Sequence, residues 1–324
     1  MVNRNQPLVT IGIPTYNRAD GFLGEALASA MAQTYAPIEI VVSDNCSADH
    51  TESFVTNIAD ERVRYFRQSS NIDANDNFNF CLDHAEGDYF LLLHDDDCID
   101  PDFVEACMDA ADGAPDVGII RTGVRTMDDV GSTLREYLNQ EKGLSAKEFV
   151  EKWLAGRSML ILCSTLFNTE LLKAIGGFGS RHNLFQDVAA ELQLASKYGH
   201  IDVEGVKSSF RKHGGQRTNA SKLRGWIEDS IELRDLICDL LPETSESLRA
   251  RGNVHFSKHN YDLATGIPGL ITRYSTYAMI YKTFDYDLSP LKFFYDRARN
   301  RVFTRFGKIK RMLQGAEVAK RSTG

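Results

Sequence analysis

No stretch of this sequence approaches the roughly 20 consecutive apolar residues that a membrane-spanning helix requires, so no such helix is expected. The opening MVNRNQPLVTIGIP lacks the basic stretch, apolar core and small-residue cleavage site of a secretory leader, which leads us to expect a cytoplasmic protein. The six cysteines, Cys46, Cys81, Cys98, Cys107, Cys163 and Cys238, form no CxxC pair and sit mostly in apolar runs. Buried, reduced thiols follow, as in a reducing compartment. Internal repeats and low-complexity segments are also missing. Positive charge is in deficit: 37 Lys and Arg face 45 Asp and Glu, a net charge of -8, which argues against nucleic acid as a partner. The deficit is uneven, because ten basic residues stand against two acidic ones from Pro290 onward. An acidic body that must hold an anionic substrate needs a cation to help it.

What is present is the composition of a folded α/β protein, with 43% apolar and 25% charged residues in 324, enough for one large domain and a smaller appendage. Leu8 to Pro14, Ile38 to Asp44 and Tyr89 to His94 are short apolar runs that read as buried strands, while Val63 to Gln68 alternates like a strand nearer an edge. Between them, Phe22, Leu23, Ala26, Leu27, Ala30 and Met31 recur at helical spacing, Ser47 to Thr51 opens a second helix, and Asn75 to His84 forms a third. Pro101 starts another through Ala111. Val117 to Arg125 and Ile201 to Phe210 read as strands, and Lys147 to Leu154, Thr169 to Ile175 and Val188 to Tyr198 as helices. From Ser221 onward the pattern is helical. The expected fold class is α/β, a Rossmann-like, mostly parallel central sheet flanked by helices, with a C-terminal α-helical region. Ligands in such sheets bind beyond the carboxyl ends of the strands, where Thr15 to Arg18, Asp44-Asn45 and His94 to Asp97 fall.

The run Asp95-Asp96-Asp97 follows a buried strand. Adjacent carboxylates on a rigid strand end supply oxygen ligands for Mg²⁺ or Mn²⁺, which also coordinate substrate phosphates; the alternative is a solvated acidic turn. His213, beside Arg211 and Lys212, suits either a metal or a diphosphate, or simply a basic surface turn.

Together these segments resemble the family 2 glycosyltransferases of the GT-A fold, over roughly residues 7 to 216. Val9 to Arg18 is similar to the family's first strand and nucleotide loop, which implies nucleotide contacts from Pro14, Thr15, Tyr16, Asn17 and Arg18. Ile40 to Thr51 resembles its second strand, placing the base-reading aspartate on Asp44. Asn71, Asn79 and Ala85 to Tyr89 resemble the segment leading into the DXD strand, and Leu93 to Asp97 occupies the DXD position. The first aspartate of that motif falls on His94 and the second on Asp96, so the resemblance implies Asp96 as the metal ligand with His213 and puts Asp95 or His94 near the ribose or diphosphate. Gly176 to Phe178 and Gln186-Asp187 resemble the acceptor-side loop and the "ED" site of the catalytic base, with glutamine replacing the glutamate. Asp187 is the implied base, its alternative an ordinary helix cap, and Glu191 one turn later is the reserve. Asp97, Gly177 and Glu191 are candidate sugar or acceptor contacts. The Asn-x-Gly usual in the family is Asn71-Ile-Asp73 here, and Arg211 to Gly215 resembles the late basic segment near the diphosphate.

The resemblance implies metal-assisted, inverting transfer from a UDP-, dTDP- or GDP-sugar to a glycan or lipid-linked hydroxyl, in bacterial-type surface polysaccharide synthesis. The competing enzyme class, a sugar nucleotidyltransferase, would favour a glycine-rich, lysine-containing loop after the first strand, and Pro14 to Arg18 has none. A non-catalytic nucleotide-sugar-binding protein would tend to lose one of Asp44, Asp96 and Asp187. The expected division is a catalytic domain over 1–220, with nucleotide-binding and acceptor-side halves meeting near residue 100, and a helical region over 221–324. The tail sets Phe293, Phe294, Val302, Phe303, Phe306 and Ile309 among basic residues, which suits either an interfacial helix on anionic lipid or a helix packed on the protein.

Overall fold

The computed structural model describes residues 6–111, 116–214 and 223–299. Strands β1 (Val9–Thr15), β2 (Ile38–Asp44), β3 (Val63–Arg67) and β4 (Tyr89–Leu92) alternate with helices α1 (Leu23–Met31), α2 (Thr51–Thr56) and α3 (Ala74–Asp83). There follow β5 (Cys98–Ile99), α4 (Phe103–Ala110), β6 (Ile119–Met127), β7 (Thr133–Tyr137), α5 (Ala146–Leu154), β8 (Thr165–Asn168), α6 (Thr169–Ala174), α7 (Gln186–Tyr198) and β9 (His200–Arg211). Helices α8 (Leu223–Leu240), α9 (Ser245–Ala264) and α10 (Leu270–Thr283) come next, and residues 290–299 are helical. No helix among the described residues is long and apolar enough to cross a membrane.

The apolar runs become buried strands because both faces of the sheet are covered: every residue of β1 and β2 is buried. Leu23, Ala26, Leu27 and Ala30 form the buried stripe of α1, and each fully buried leucine contributes about 1.5–3 kcal/mol. The strand order is β3-β2-β1-β4-β8-β6-β9-β5, with β7 on the outer part of β6. Strands β1 to β4 pair in parallel. Beyond β4 the sheet is mixed, because β8 enters antiparallel between β4 and β6 while β6 and β9 run parallel. Parallel pairing brings Thr15 level with Asp44, and the segment after Leu92 continues to the same rim.

The chain forms two compact units, 1–249 and 250–324. The expected boundary near residue 220 lies before α8, which belongs to the first unit. Buried Asp229 of α8 accepts hydrogen bonds from Ser180 Oγ (2.7 Å) and from the backbone of His182 (2.9 Å) and Leu184 (3.1 Å). In the second unit, Phe256, Tyr261, Ile280, Phe284, Leu288 and Phe293 are buried. Phe293 packs on Tyr261 (5.2 Å between ring centroids) and Phe294 on Tyr277 (5.3 Å). These two tail aromatics therefore pack within the second unit, Phe293 buried and Phe294 half-buried. Val302, Phe303, Phe306 and Ile309 lie outside the described residues.

Candidate active site

The rim is built from three loops tied to one another. In the first, Pro14 and Thr15 are buried and Tyr16 is exposed. Asn17 adopts a left-handed conformation (φ 53°), which asparagine tolerates better than most residues. Its N–H donates to Ser47 Oγ (2.8 Å) and its side-chain oxygen accepts from the N–H of Ala48 (2.7 Å), fastening the first loop to the second. Thr15 Oγ1 donates to Asp95 (2.7 Å), fastening it to the third. Burial, reinforced by the neighbouring Asp96 charge, pushes the Asp95 carboxyl up to about 6, against the pull of Thr15 and Arg18.

Asp44 stands at the end of β2 as expected, but it is wholly buried. One carboxylate oxygen accepts from the N–H of Ser47 (2.8 Å) and the other from Tyr65 Oη (2.6 Å). Both oxygens thus cap the turn that shapes the rim where the nucleobase contact is expected. Asn71 is exposed. The side chain of Asn45 brackets its neighbour Ile72, accepting from that N–H (2.8 Å) and donating to that carbonyl (2.9 Å).

The acidic run turns back on itself, with the N–H of Asp97 donating to the carbonyl of His94 (3.1 Å). One ligand atom each from His94, Asp96 and Asp97 lie within 4.8 Å of one another. His213 Nε2 is 2.8 Å from Asp96 Oδ2 and its ring packs on Phe22. An imidazole and two carboxylates so grouped fit a divalent cation. His94, in the place of the first motif aspartate, supplies the nitrogen donor that sequence reasoning had not named as a ligand. His213 meets Asp96 where it can orient the carboxylate, the part a second layer of residues plays around metals. Asp97 is buried, accepts from the N–H of Arg211 (2.9 Å), and stands in this group. Burial and the Asp96 charge push its carboxyl well up. Arg211, expected near the diphosphate, is itself buried. It donates to the carbonyl of Asp96 (2.9 Å), pairs with Glu25 and stacks over Phe22 (4.3 Å).

On the acceptor side, Gly177 has a left-handed φ of 75°, and a Cβ there would lie 2.4 Å from the side-chain oxygen of Asn79. The room is needed because Asn79 pairs with the backbone of Phe178 in both directions, at 2.8 Å each way. Asp187 begins α7, with its carboxylate accepting from the N–H of Val188 (2.8 Å). Burial raises its proton affinity, while that N–H and nearby His94 lower it. The interaction with His94 brings the implied base beside the acidic run.

Glu191 is not placed to act as a reserve base. It is wholly buried, accepts from Thr165 Oγ1 (3.2 Å) and lies 3.5 Å from Arg121 Nε. Arg121, equally buried, also faces Asp202 (3.6 Å) and Glu141 (3.9 Å). Burial pushes the Glu191 carboxyl up to about 8, opposed by Arg121 and assisted by Asp187. Folded protein then keeps a proton that unfolded chain releases above its ordinary carboxylate range, so this group makes stability fall as pH rises from about 4.5 to about 8. Glu191→Gln, which mimics the protonated form, should flatten that slope. Melting temperatures of parent and variant from pH 5 to pH 8 read the effect, and parallel curves would refute it.

Against this geometry, comparison with known proteins is direct. Residues 10–176 match Glycosyl transferase family 2. The chain belongs to that family. It is 29% identical over 181 residues to the succinoglycan biosynthesis protein ExoO of Rhizobium meliloti, covering 56% of this chain and 48% of that protein. It is 38% identical over 94 residues to the GalNAc(5)-diNAcBac-PP-undecaprenol beta-1,3-glucosyltransferase of Campylobacter jejuni, covering 28% of this chain and 30% of that one. The solved structure of S. aureus TarS 1–349 in complex with UDP-GlcNAc superposes with a TM-score of 0.56 at 14% identity, over 85% of this chain and 90% of that one. The fold is accordingly the GT-A fold. Three further relatives are matched over 13%, 68% and 30% of their own length, so this family member spans only part of several of its relatives.

Proposed function

We propose that this family 2 member transfers a sugar from a nucleoside-diphosphate sugar to a hydroxyl of a glycan or lipid-linked acceptor, with inversion and divalent-metal assistance, during surface-polysaccharide synthesis. The observation that carries this is the grouping of His94, Asp96 and Asp97 at the rim, with Asp187 interacting with His94. A divalent cation held there would stabilise the charge that develops on the departing nucleoside diphosphate. The loop from Pro14 to Arg18 and the rim shaped by Asp44, Tyr65 and Ser47 would seat the nucleotide. Asn71 and Asp95 border that seat. Asp187 would take the acceptor's proton as its oxygen attacks the anomeric carbon, and a single displacement with a single base inverts that centre. Gly177 lets the acceptor-side loop close against Asn79. We place the reaction in the cytoplasm, peripheral to the membrane when the acceptor is lipid-linked.

The test is a thermal-shift screen of UDP-, dTDP- and GDP-sugars with and without Mn²⁺. One nucleotide class should raise the melting temperature, and only when Mn²⁺ is present, since binding to the folded state alone stabilises it. No shift with any donor in either condition would sink the proposal.

A further inference from the structure

The second unit carries an apolar row that the fold leaves outside. In the helical residues 290–299, Phe293 is buried while Leu291 and Tyr295 are 85% and 66% exposed. Leu291 and Tyr295 stand four residues apart, on the side of that helix away from Phe293. On α10, Ile271 and Tyr274 are 87% and 69% exposed. Ring contacts from Tyr274 to Tyr277 (6.3 Å) and from Tyr277 to Phe294 (5.3 Å) link the two helices beneath these residues. Lys292 and Arg299 are exposed on the same helix as Leu291, sharing the one carboxylate of Asp296 at 3.7 Å each. In sequence, ten basic and two acidic residues follow Pro290.

We propose that this outward row, led by Leu291 and Tyr295 with Ile271 and Tyr274 of α10, docks the second unit on a lipid surface bearing anionic headgroups. Aliphatic and tyrosine side chains enter the boundary between headgroups and acyl chains, while the flanking lysines and arginines meet the phosphates. The excess of ten basic over two acidic residues from Pro290 onward favours this occupant, because a second copy of the chain would bring equally basic segments together. The inference deepens the peripheral-membrane part of the proposed function and does not depend on the transfer chemistry. Deleting the chain from Pro290 would remove buried Phe293, whereas substituting exposed residues spares the core.

The experiment is sedimentation of the full chain with phosphatidylcholine vesicles, with and without phosphatidylglycerol. The parent should pellet only with the anionic vesicles. Leu291→Asp with Tyr295→Asp should weaken that binding roughly tenfold or more, with donor-induced thermal shift unchanged. Should the aspartates compromise folding, Leu291→Ser with Tyr295→Ser gives the same contrast. A parent that ignores anionic vesicles overturns both the membrane contact and this surface. Equal binding by parent and variant overturns the surface and leaves membrane contact standing. Conversion of a dimer to a monomer by the same substitutions, with vesicle binding intact, would assign the row to a second copy.

Discussion

Asp187→Asn is expected to lower turnover by roughly 10²–10⁴-fold, the usual share of a general base, while donor affinity stays near the parental value. The amide keeps the size of the carboxylate and an oxygen for the Val188 N–H, so the start of α7 has no reason to move. What it loses is the ability to accept the acceptor's proton. Burial raises the parental carboxyl above its ordinary range, bringing the base nearer to the operating pH, where proton abstraction is most effective. The parent should therefore show an acidic limb in its pH–rate profile that the variant lacks. Glu191 offers no substitute, since it is buried against Arg121 and Thr165. Steady-state transfer kinetics with calorimetric donor binding decide the matter, and near-parental turnover in the variant removes Asp187 from the mechanism.

Asp96→Asn should be more damaging still, because it strikes donor binding and turnover together. The carboxylate belongs to the His94–Asp96–Asp97 group and is the one that His213 holds. A neutral amide in its place weakens the attraction for a divalent cation and with it the grip on a diphosphate. Loss of a residue that only orients a metal ligand typically costs about 10–100-fold in metal affinity or activity, and loss of a ligand itself should exceed that. Titration of nucleoside diphosphate with Mn²⁺ and in excess EDTA is the measurement. Should the variant bind as tightly as the parent in EDTA and keep its turnover, the metal assignment falls.

The donor-side rim was legible because strand, turn and helix are contiguous there. The apolar runs of β1 and β2 and the acidic run after β4 show burial and loop chemistry within a few residues of each other. Strand β8 was missed: it has four residues, too few for a period to show, and it is recruited by β4 and β6 from distant parts of the chain. Asp229 was illegible for a similar reason, since a carboxylate in a helix gives no local sign that a loop some 45 to 49 residues earlier will fold onto it. The burial of Arg211 and Glu191 was illegible because charged residues are mostly exposed, and only the structure reveals the partners that make it tolerable. Asp44 shows the limit of motif transfer, since its position followed from the sequence but the two donors occupying its carboxylate did not. His94 stands at the motif position expected for it, and its imidazole became a candidate metal donor only once Asp96 and Asp97 were seen beside it.

The two-way pairing between Asn79 and Phe178 also constrains how this scaffold can be recombined. The asparagine is in α3, among the donor-side elements, and the loop it grips lies 99 residues later on the acceptor side. A hybrid that joins the donor half of one parent to the acceptor half of another separates this pair at the splice. If the incoming loop carries a side chain where Gly177 stands, its Cβ meets the amide; if the incoming helix lacks the amide, the N–H of Phe178 loses its acceptor and the carbonyl keeps only Asn75 of the same helix. Exchange of acceptor preference by grafting therefore has to carry α3 with the loop, as one inherited block.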